Sequence, residues 1–414
     1  MKIKLYPHQV RALEKTKNFN HVAYYLDMGL GKTFVGSEKL KMLNTNHNLI
    51  VCQKSKLQDW YEHMKTYYPE YNTFIYSKTR EIPPKSVIII NYDLVWRRPE
   101  LLTTLKNFTL MLDESSLIQN EKSNRSKFIL KMKPTNVILL SGTPTGGKYE
   151  QLWSQLKLLG WNISKRLYWD EFIKFVKIDV GGFPIKKVTG YKNVDRLKDK
   201  LRTHGAIFMK SDEVFQLPKQ IENIIKVDNT KEYKKFNKDR LIKIDDTELV
   251  GDTSLTKMLY LRQLSSQYNS NKTAALKDLL ESTNDRVIVF YNFDKELEII
   301  QEICNKLEKP ISMINGHEKN LKNFTECNDC VLLGQYQAAA MGLNLQLSNK
   351  IIYFSLPLQS ELFMQSKKRI HRIGQEKTCF YWYLITKNSI EEQIFETLKQ
   401  RRDYTNKLFE ESDM

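Results

Sequence analysis

"YLDMGLGKTF", residues 25–34, decides the fold of this 414-residue chain. The pattern G-x-x-x-x-G-K-[ST] marks a loop whose backbone N–H groups cradle phosphates. Gly31, Lys32 and Thr33 supply its end, but Leu26 stands where the first glycine belongs. The surroundings fit all the same. The apolar run VAYYL reads as a buried strand entering the loop, and TFVGSEKLKML as a helix leaving it. In such a unit the N–H groups of the helix's first turn point at an anion. Gly29 and Gly31 permit the turns, Lys32 reaches the β and γ phosphates, and the Thr33 hydroxyl binds Mg²⁺.

Cleaving a nucleotide also takes a carboxylate pair near the metal. TLMLDESS places Asp113 and Glu114 after an apolar strand about 80 residues beyond Lys32. Asp113 is the candidate metal ligand beside Thr33, and Glu114 the group that polarises water. QSKKRIHRIGQ, residues 365–375, carries Arg369 and Arg372 three apart, which reads as one helical face. Either these arginines stabilise charge developing on a phosphate, or the run is a solvated basic face. Its neighbour Lys367 has no role assigned.

Outward from these motifs the chain alternates. VAYYL, NLIVC, VIIIN, FTLML and NVILL read as strands, with helical stretches such as KLQDWYEHMK between them. The pattern returns with RVIVFYNF, PISMI, CVLLG, KIIYF and CFYWYLI. Fully apolar strands separated by helices predict parallel sheets covered on both faces. The expected division is a first lobe over 1–160, a Lys-rich helical insertion over 161–270 and a second lobe over 271–414.

Composition bounds the partners. Hydrophobic residues at 41% and charged residues at 27% are ordinary for a soluble globular protein. No apolar stretch reaches membrane-spanning length, and MKIKLYPHQ lacks the apolar core of a signal peptide. A net charge of +17 fits a polyanion partner, nucleic acid above all, or a merely soluble basic protein. Five cysteines make no disulfide framework. Cys327 and Cys330 form a lone C-x-x-C without the second ligand pair that zinc needs, and Cys330 opens an apolar run and reads as core. Two aromatic-basic features, at Trp96-Arg97-Arg98 and Tyr233-Lys234-Lys235, are either nucleic-acid contacts or solvated faces.

Together these parts resemble the motor core of superfamily-two helicases, specifically the Swi/Snf-like DNA translocases. YPHQ (6–9) resembles the glutamine motif, and DMGLGKT resembles that family's D-E-M-G-L-G-K-T, which also lacks the first glycine. VCQKSKLQDW (51–60), IINYDLV (89–95), LDESS, SGTP (141–144), IFMKSDEVFQLPK (207–219) and YLRQLSSQYNSNKTAAL (260–276) follow in family order. So do VIVFYNF, INGH, AAAMGLNLQ and RIHRIGQ. The chain departs from the family at Ser116, where the box has histidine, at Lys368, at FSLPL and at Met209-Lys210.

The resemblance implies an α/β fold of two recombinase-A-like parallel-sheet lobes that clamp ATP between them, with a helical insertion. It implies ATP and Mg²⁺ as cofactors, held by Gln9 (which would read adenine), Met28, Gly29, Leu30, Gly31, Lys32 and Thr33. Ser141, Thr143, Gly342, Asn344 and Gln365 would couple nucleotide state to DNA. Lys54, Ser55, Asn91, Tyr92, Asn292 and Gly316 would contact it. The implied partner is duplex DNA, ahead of single strands or RNA, with no membrane and a monomeric motor. The implied setting is the cytoplasm of a bacterial or virus-infected cell. Two alternatives stay open: a strand-separating DNA or RNA helicase, and an ATP-gated switch with little turnover.

Overall fold

The computed structural model describes residues 3–77, 81–180, 183–244, 247–339 and 345–409. The chain divides into two units, Met1–Val214 with Asp403–Met414, and Phe215–Arg402.

The apolar runs of the first unit become β1 (His21–Leu26), β2 (His47–Cys52), β3 (Asn72–Ile75), β4 (Ser86–Asn91), β5 (Phe108–Asp113) and β6 (Asn136–Ser141). A hairpin of β7 (Ile173–Val180) and β8 (Phe183–Tyr191) follows, then β9 (Ala206–Met209). Seven of these form one sheet in the order β3-β4-β2-β5-β6-β1-β9, parallel throughout. Such a sheet must be covered on both faces, which is why Leu49, Ile50 and Val51 are all fully buried rather than alternating. Helices α1 (Pro7–Lys15), α2 (Lys32–Leu43) and α3 (Leu57–Tyr67) are part of this unit. The register sets Asp113 beside Leu140 and Ser141 beside Tyr25. The carboxyl ends of β5, β6 and β1 therefore come together, the edge where open α/β sheets bind ligands.

The second unit carries β10 (Gln220–Val227), the small hairpin β11 (Leu241–Ile244) and β12 (Thr247–Val250), then β13 (Val287–Tyr291), β14 (Ile311–Ile314), β15 (Lys319–Asn320), β16 (Val331–Gln335), β17 (Lys350–Tyr353) and β18 (Cys379–Thr386). Its sheet runs β10-β18-β17-β13-β16-β14-β15, parallel except for the last pair. Cys330 lies in its core, fully buried. A buried ion pair, Lys272 with Glu391 at 2.5 Å, joins the helices Ser270–Glu281 and Ile390–Phe409. Among the described residues no helix is long and apolar enough to cross a membrane.

The helical insertion expected over 161–270 is not a separate helical body. It contains β7 to β12, and its strands β9 and β10 extend the two sheets. In KFVKIDV only Lys177-Ile178-Asp179-Val180 alternates polar with apolar, and PIKKV does not alternate at all, so the period of two that marks a strand is broken in both.

Candidate functional site

The phosphate-type loop hangs between β1 and α2. Gly31 is the N-cap of α2 at φ +72°, and a Cβ there would lie 2.2 Å from Gln9 Nε2. Only glycine fits that turn. Lys32 Nζ donates to the carbonyls of Leu26 (2.9 Å) and Asp27 (3.2 Å). Leu26 thus serves through its backbone while its side chain is fully buried, so no glycine is required there. The start of α1 braces the loop from outside. His8 Nε2 lies 3.0 Å from Leu30 O, and Gln9 Nε2 donates to Leu30 O at 3.2 Å and Gly31 O at 3.4 Å. Gln9 Oε1 accepts from Tyr6 N at 2.9 Å, so its amide supports the loop instead of standing open to a base.

The carboxylates stand at the end of β5. Asp113 Oδ2 accepts from the Trp60 indole N–H at 2.8 Å. Glu114 adopts φ +57°, a left-handed conformation that a non-glycine residue takes at a cost of order 1–3 kcal/mol. That turn aims its carboxylate at the neighbouring strand end, where Oε1 accepts from Ser141 Oγ (2.6 Å) and Ser116 Oγ (2.9 Å). Burial pushes the carboxyl groups of both Asp113 and Glu114 upward. The Trp60 N–H and the Lys32 charge pull Asp113 back, and Ser141 and Lys32 do the same for Glu114. Gly142 closes the group: a Cβ on it would sit 3.3 Å from Lys32 Nζ and 3.5 Å from Leu26 O. The space in front of the lysine exists because position 142 has no side chain.

Ser141 and Thr143 both lie at this edge. Ser141 Oγ also accepts from Thr143 N at 3.1 Å, while the buried Thr143 hydroxyl has no partner among the described residues. Lys54 and Ser55 are exposed on a short 3-10 turn after β2. Asn91 and Tyr92 are corrected. Asn91 is buried and caps the next turn by accepting from Asp93 N and Leu94 N. Tyr92 is buried too, and its phenol donates to the carbonyl of Asp113 at 3.0 Å. The Asn91 Oδ1 and the Tyr92 phenol are thus engaged inside the unit rather than presented at its surface.

The second unit, taken by itself, holds the remaining candidates. The helix before the arginines ends at Lys367, so Arg369 and Arg372 lie in a turn and do not share a helical face. The turn forms because Ile370 is fully buried, His371 Nε2 binds Pro218 O at 2.9 Å, and Gly374 follows at φ +89°. Arg369 is buried, and Arg372 is half-buried with an Nε that finds no acceptor among the described residues. Gln365 is buried, with its Oε1 likewise unmatched. Lys367 is no bystander: it is buried, pairs with Glu222 and lies 4.6 Å from the centre of the Tyr381 ring. Asn292 is half-buried, and its amide donates to Ser355 Oγ (2.8 Å) and Leu356 O (3.1 Å). Gly316 is exposed. Gly342 and Asn344 lie outside the described residues. Of the aromatic-basic features, Tyr233 is buried and accepts from Ile390 N, and Arg97 covers the Trp96 ring at 4.9 Å.

Comparison with known families decides what this arrangement belongs to. The profile of the SNF2-related domain matches residues 25–278, and that of the helicase conserved C-terminal domain matches residues 271–374. The chain belongs to the SNF2-related domain family. It is 25% identical to an uncharacterized ATP-dependent helicase of Mycoplasma pneumoniae, over 97% of this chain and 41% of that protein. It is 24% identical to the ISWI chromatin-remodeling complex ATPase ISW1 of Saccharomyces cerevisiae, over 91% of this chain and 37% of that one. The SNF2-related chain thus spans about two fifths of the length of these relatives. A solved SWI2/SNF2 ATPase core of Sulfolobus solfataricus in complex with dsDNA aligns with a TM-score of 0.48 and 21% identity, covering 99% of this chain and 93% of that one.

Three residues of this SNF2-related site were not singled out as site residues from the sequence. Trp60 holds Asp113. Ser211 lies 2.9 Å from Asp27 Oδ2 and 3.1 Å from Met28 O, so the segment after β9 grips the phosphate-type loop. Gln155 is fully buried: its Oε1 accepts from Tyr25 (3.0 Å) and Ser115 (2.8 Å), and its Nε2 donates to Pro144 O (2.8 Å). The one available signal was Gln155 itself, an amide at a core position of the apolar run LWSQLKLL.

Proposed function

We propose that this SNF2-related chain is an ATP-hydrolysing motor that moves along duplex DNA. The observation that carries the reading is Glu114, a carboxylate turned by a left-handed backbone and oriented by two hydroxyls, with the Lys32 charge bearing on it. A structural carboxylate needs no such aim. The names of the relatives, an ATP-dependent helicase and a remodelling ATPase, support the same activity.

The donor set fits ATP with Mg²⁺: Gly142 leaves room before Lys32, and Thr33 and Asp113 offer hard oxygen ligands. The bound metal would neutralise charge on the terminal phosphates. The loop from Met28 through Gly29, Leu30 and Gly31 would bind the phosphates through its N–H groups and the start of α2. Glu114 would take the proton of the attacking water, held in position by Ser141 and Ser116. Arg369 and Arg372 would stabilise the charge developing on the γ-phosphate, consistent with the unmatched Arg372 Nε. Lys54, Ser55 and Gly316 would touch the DNA backbone. Such a monomeric motor would work in the cytoplasm, on the nucleoid of a bacterial cell or on DNA in a virus-infected one.

The test is turnover measured side by side with duplex DNA, single-stranded DNA and RNA. Duplex should stimulate at least as well as single strands. Lys32→Ala and Glu114→Gln should abolish hydrolysis and keep DNA binding. Stimulation by RNA alone would point to the strand-separating reading, and DNA binding without turnover to a switch.

A further inference from the structure

The β7–β8 hairpin does not serve the sheet that carries the nucleotide residues. Its root is firmly held: Ile173 is buried, Phe175 and Val188 pack on the core, and Tyr191 stacks on Tyr149 at 4.3 Å. The Tyr191 phenol donates to Glu150 at 2.8 Å. Beyond the root, residues 176–179 and 183–187 are exposed on both faces of the ribbon. A two-stranded ribbon is only marginally stable in water, yet this one shows Phe183 at 75% exposure, Ile185 at 49%, Val176 at 47% and Ile178 at 38%. The ladder register puts Val176 opposite Lys187 and Ile178 opposite Ile185 on one face, and Lys177 opposite Lys186 on the other. Like charges directly opposite are unfavourable. Residues 173–192 hold five lysines against one carboxylate, Asp179.

We infer that this hairpin is a second DNA-contacting element, a ribbon that enters a groove of the duplex. Phe183 wedges against a base step, and Lys177 and Lys187 meet phosphates. Both components are complementary to that one partner. A two-stranded ribbon fits a DNA groove, and apolar side chains flanked by basic ones unstack and kink a duplex. A protein-binding face would be depleted of charge at its centre, whereas lysines here stand within the apolar strip and behind it. The inference rests on the reading of the chain as a DNA motor.

The experiment uses the full chain, a duplex carrying 2-aminopurine, the variant Phe183→Ala and the double variant Lys177→Ala/Lys187→Ala. Melting temperature and DNA-free ATP turnover should match the parent, because none of these side chains is in the core or at the nucleotide site. The lysine variant should lower the slope of log Kd against log salt by about 1.8, roughly 0.9 for each phosphate left without its lysine. Phe183→Ala should keep the slope, weaken binding by about tenfold and abolish the rise in 2-aminopurine fluorescence. Parent-like affinity, slope and fluorescence in both variants would overturn the inference. So would unchanged DNA binding with altered sedimentation, which would mean that the hairpin meets a second copy of the chain. Failure of the motor reading looks different: the unaltered protein would then show neither turnover nor duplex affinity.

Discussion

The indole N–H of Trp60 donates to Asp113 Oδ2 at 2.8 Å, joining α3 to the end of β5 across 53 residues of sequence. Trp60 lies in the second turn after Lys54 and Ser55. One side chain therefore links the group proposed to hold the metal to the helix that follows the turn proposed to touch DNA. Trp60→Phe keeps the ring and deletes the donor. We expect the Mg²⁺ concentration for half-maximal nucleotide binding to rise about 10–100-fold, as when other hydrogen-bond partners of metal ligands are removed. A Mg²⁺ titration of nucleotide binding, beside a melting curve that stays near the parent's, checks it. Unchanged Mg²⁺ dependence would reduce Trp60 to packing.

Ser141 and Ser116 share one oxygen of Glu114, at 2.6 and 2.9 Å. Ser141→Ala should lower kcat about tenfold or more, since hydrogen bonds to charged groups contribute about 1.5–3 kcal/mol. Ser116→Ala should cost less, and the double variant should lose less than the product of the two, because both hydroxyls act on one atom. Steady-state kinetics of the four proteins decide it. Strict additivity would mean that the two serines act separately.

Arg369 and Arg372 should each matter to turnover far more than to nucleotide affinity. Charge-stabilising arginines contribute on the order of 10³–10⁵ in rate, and lysine should rescue poorly because it lacks the planar fork. The exposed Lys377 is a suitable control, whereas the buried Lys367 is not. Equal, salt-reversible losses in Arg369→Ala, Arg372→Ala and Lys377→Ala would remove the arginines from the chemistry.

Lys367 and Glu222 give a pH signature. Burial pulls the Lys367 ammonium down from 10.5 to about 8, while Glu222 pulls it up. Burial raises the Glu222 carboxyl, but Lys367 and Arg402 outweigh it and hold it below its ordinary value. Because the folded lysine releases its proton before the unfolded one, the cost of its buried charge is full below pH about 8 and fades as pH rises toward 10.5. Glu222→Gln removes the carboxylate that pulls the ammonium up, so the folded lysine gives up its proton at still lower pH. That release caps the added loss at pH 7 at about 1.4 kcal/mol, one pH unit below its parent value. The melting-temperature deficit of Glu222→Gln should therefore be larger on the acid side of neutral and shrink as pH rises through about 8. A deficit independent of pH would mean that the pair is only packed, not charged.

What could be read from the sequence was local. β1, β2, β4, β5 and β6 announce themselves as apolar runs, because a strand buried on both faces has nowhere to put a polar side chain. The phosphate-type loop and the Asp113-Glu114 pair were legible because their residues are adjacent. Contacts between distant segments were not. Ser211 reaches Asp27 from 184 residues away, and nothing in either segment names the other. Asn91 and Tyr92 are named as DNA contacts only through the resemblance of IINYDLV to a family motif, and no residue in that motif shows that Asn91 caps a turn and Tyr92 supports the carbonyl of Asp113. The arginine run looked helical until a buried isoleucine and a positive-φ glycine ended the helix at Lys367.

Gln155 has a consequence for how this chain can change over generations. One primary amide answers Tyr25, Ser115 and the carbonyl of Pro144 at once, in a pocket with no water-facing side. Glutamate would lose the donor and histidine the reach, and leucine would strand two hydroxyls and a carbonyl, each at about 1–3 kcal/mol. No single step away from glutamine keeps all three satisfied. Lineages of this chain should therefore explore their surfaces freely while staying locked at this position, until Tyr25 and Ser115 change with it.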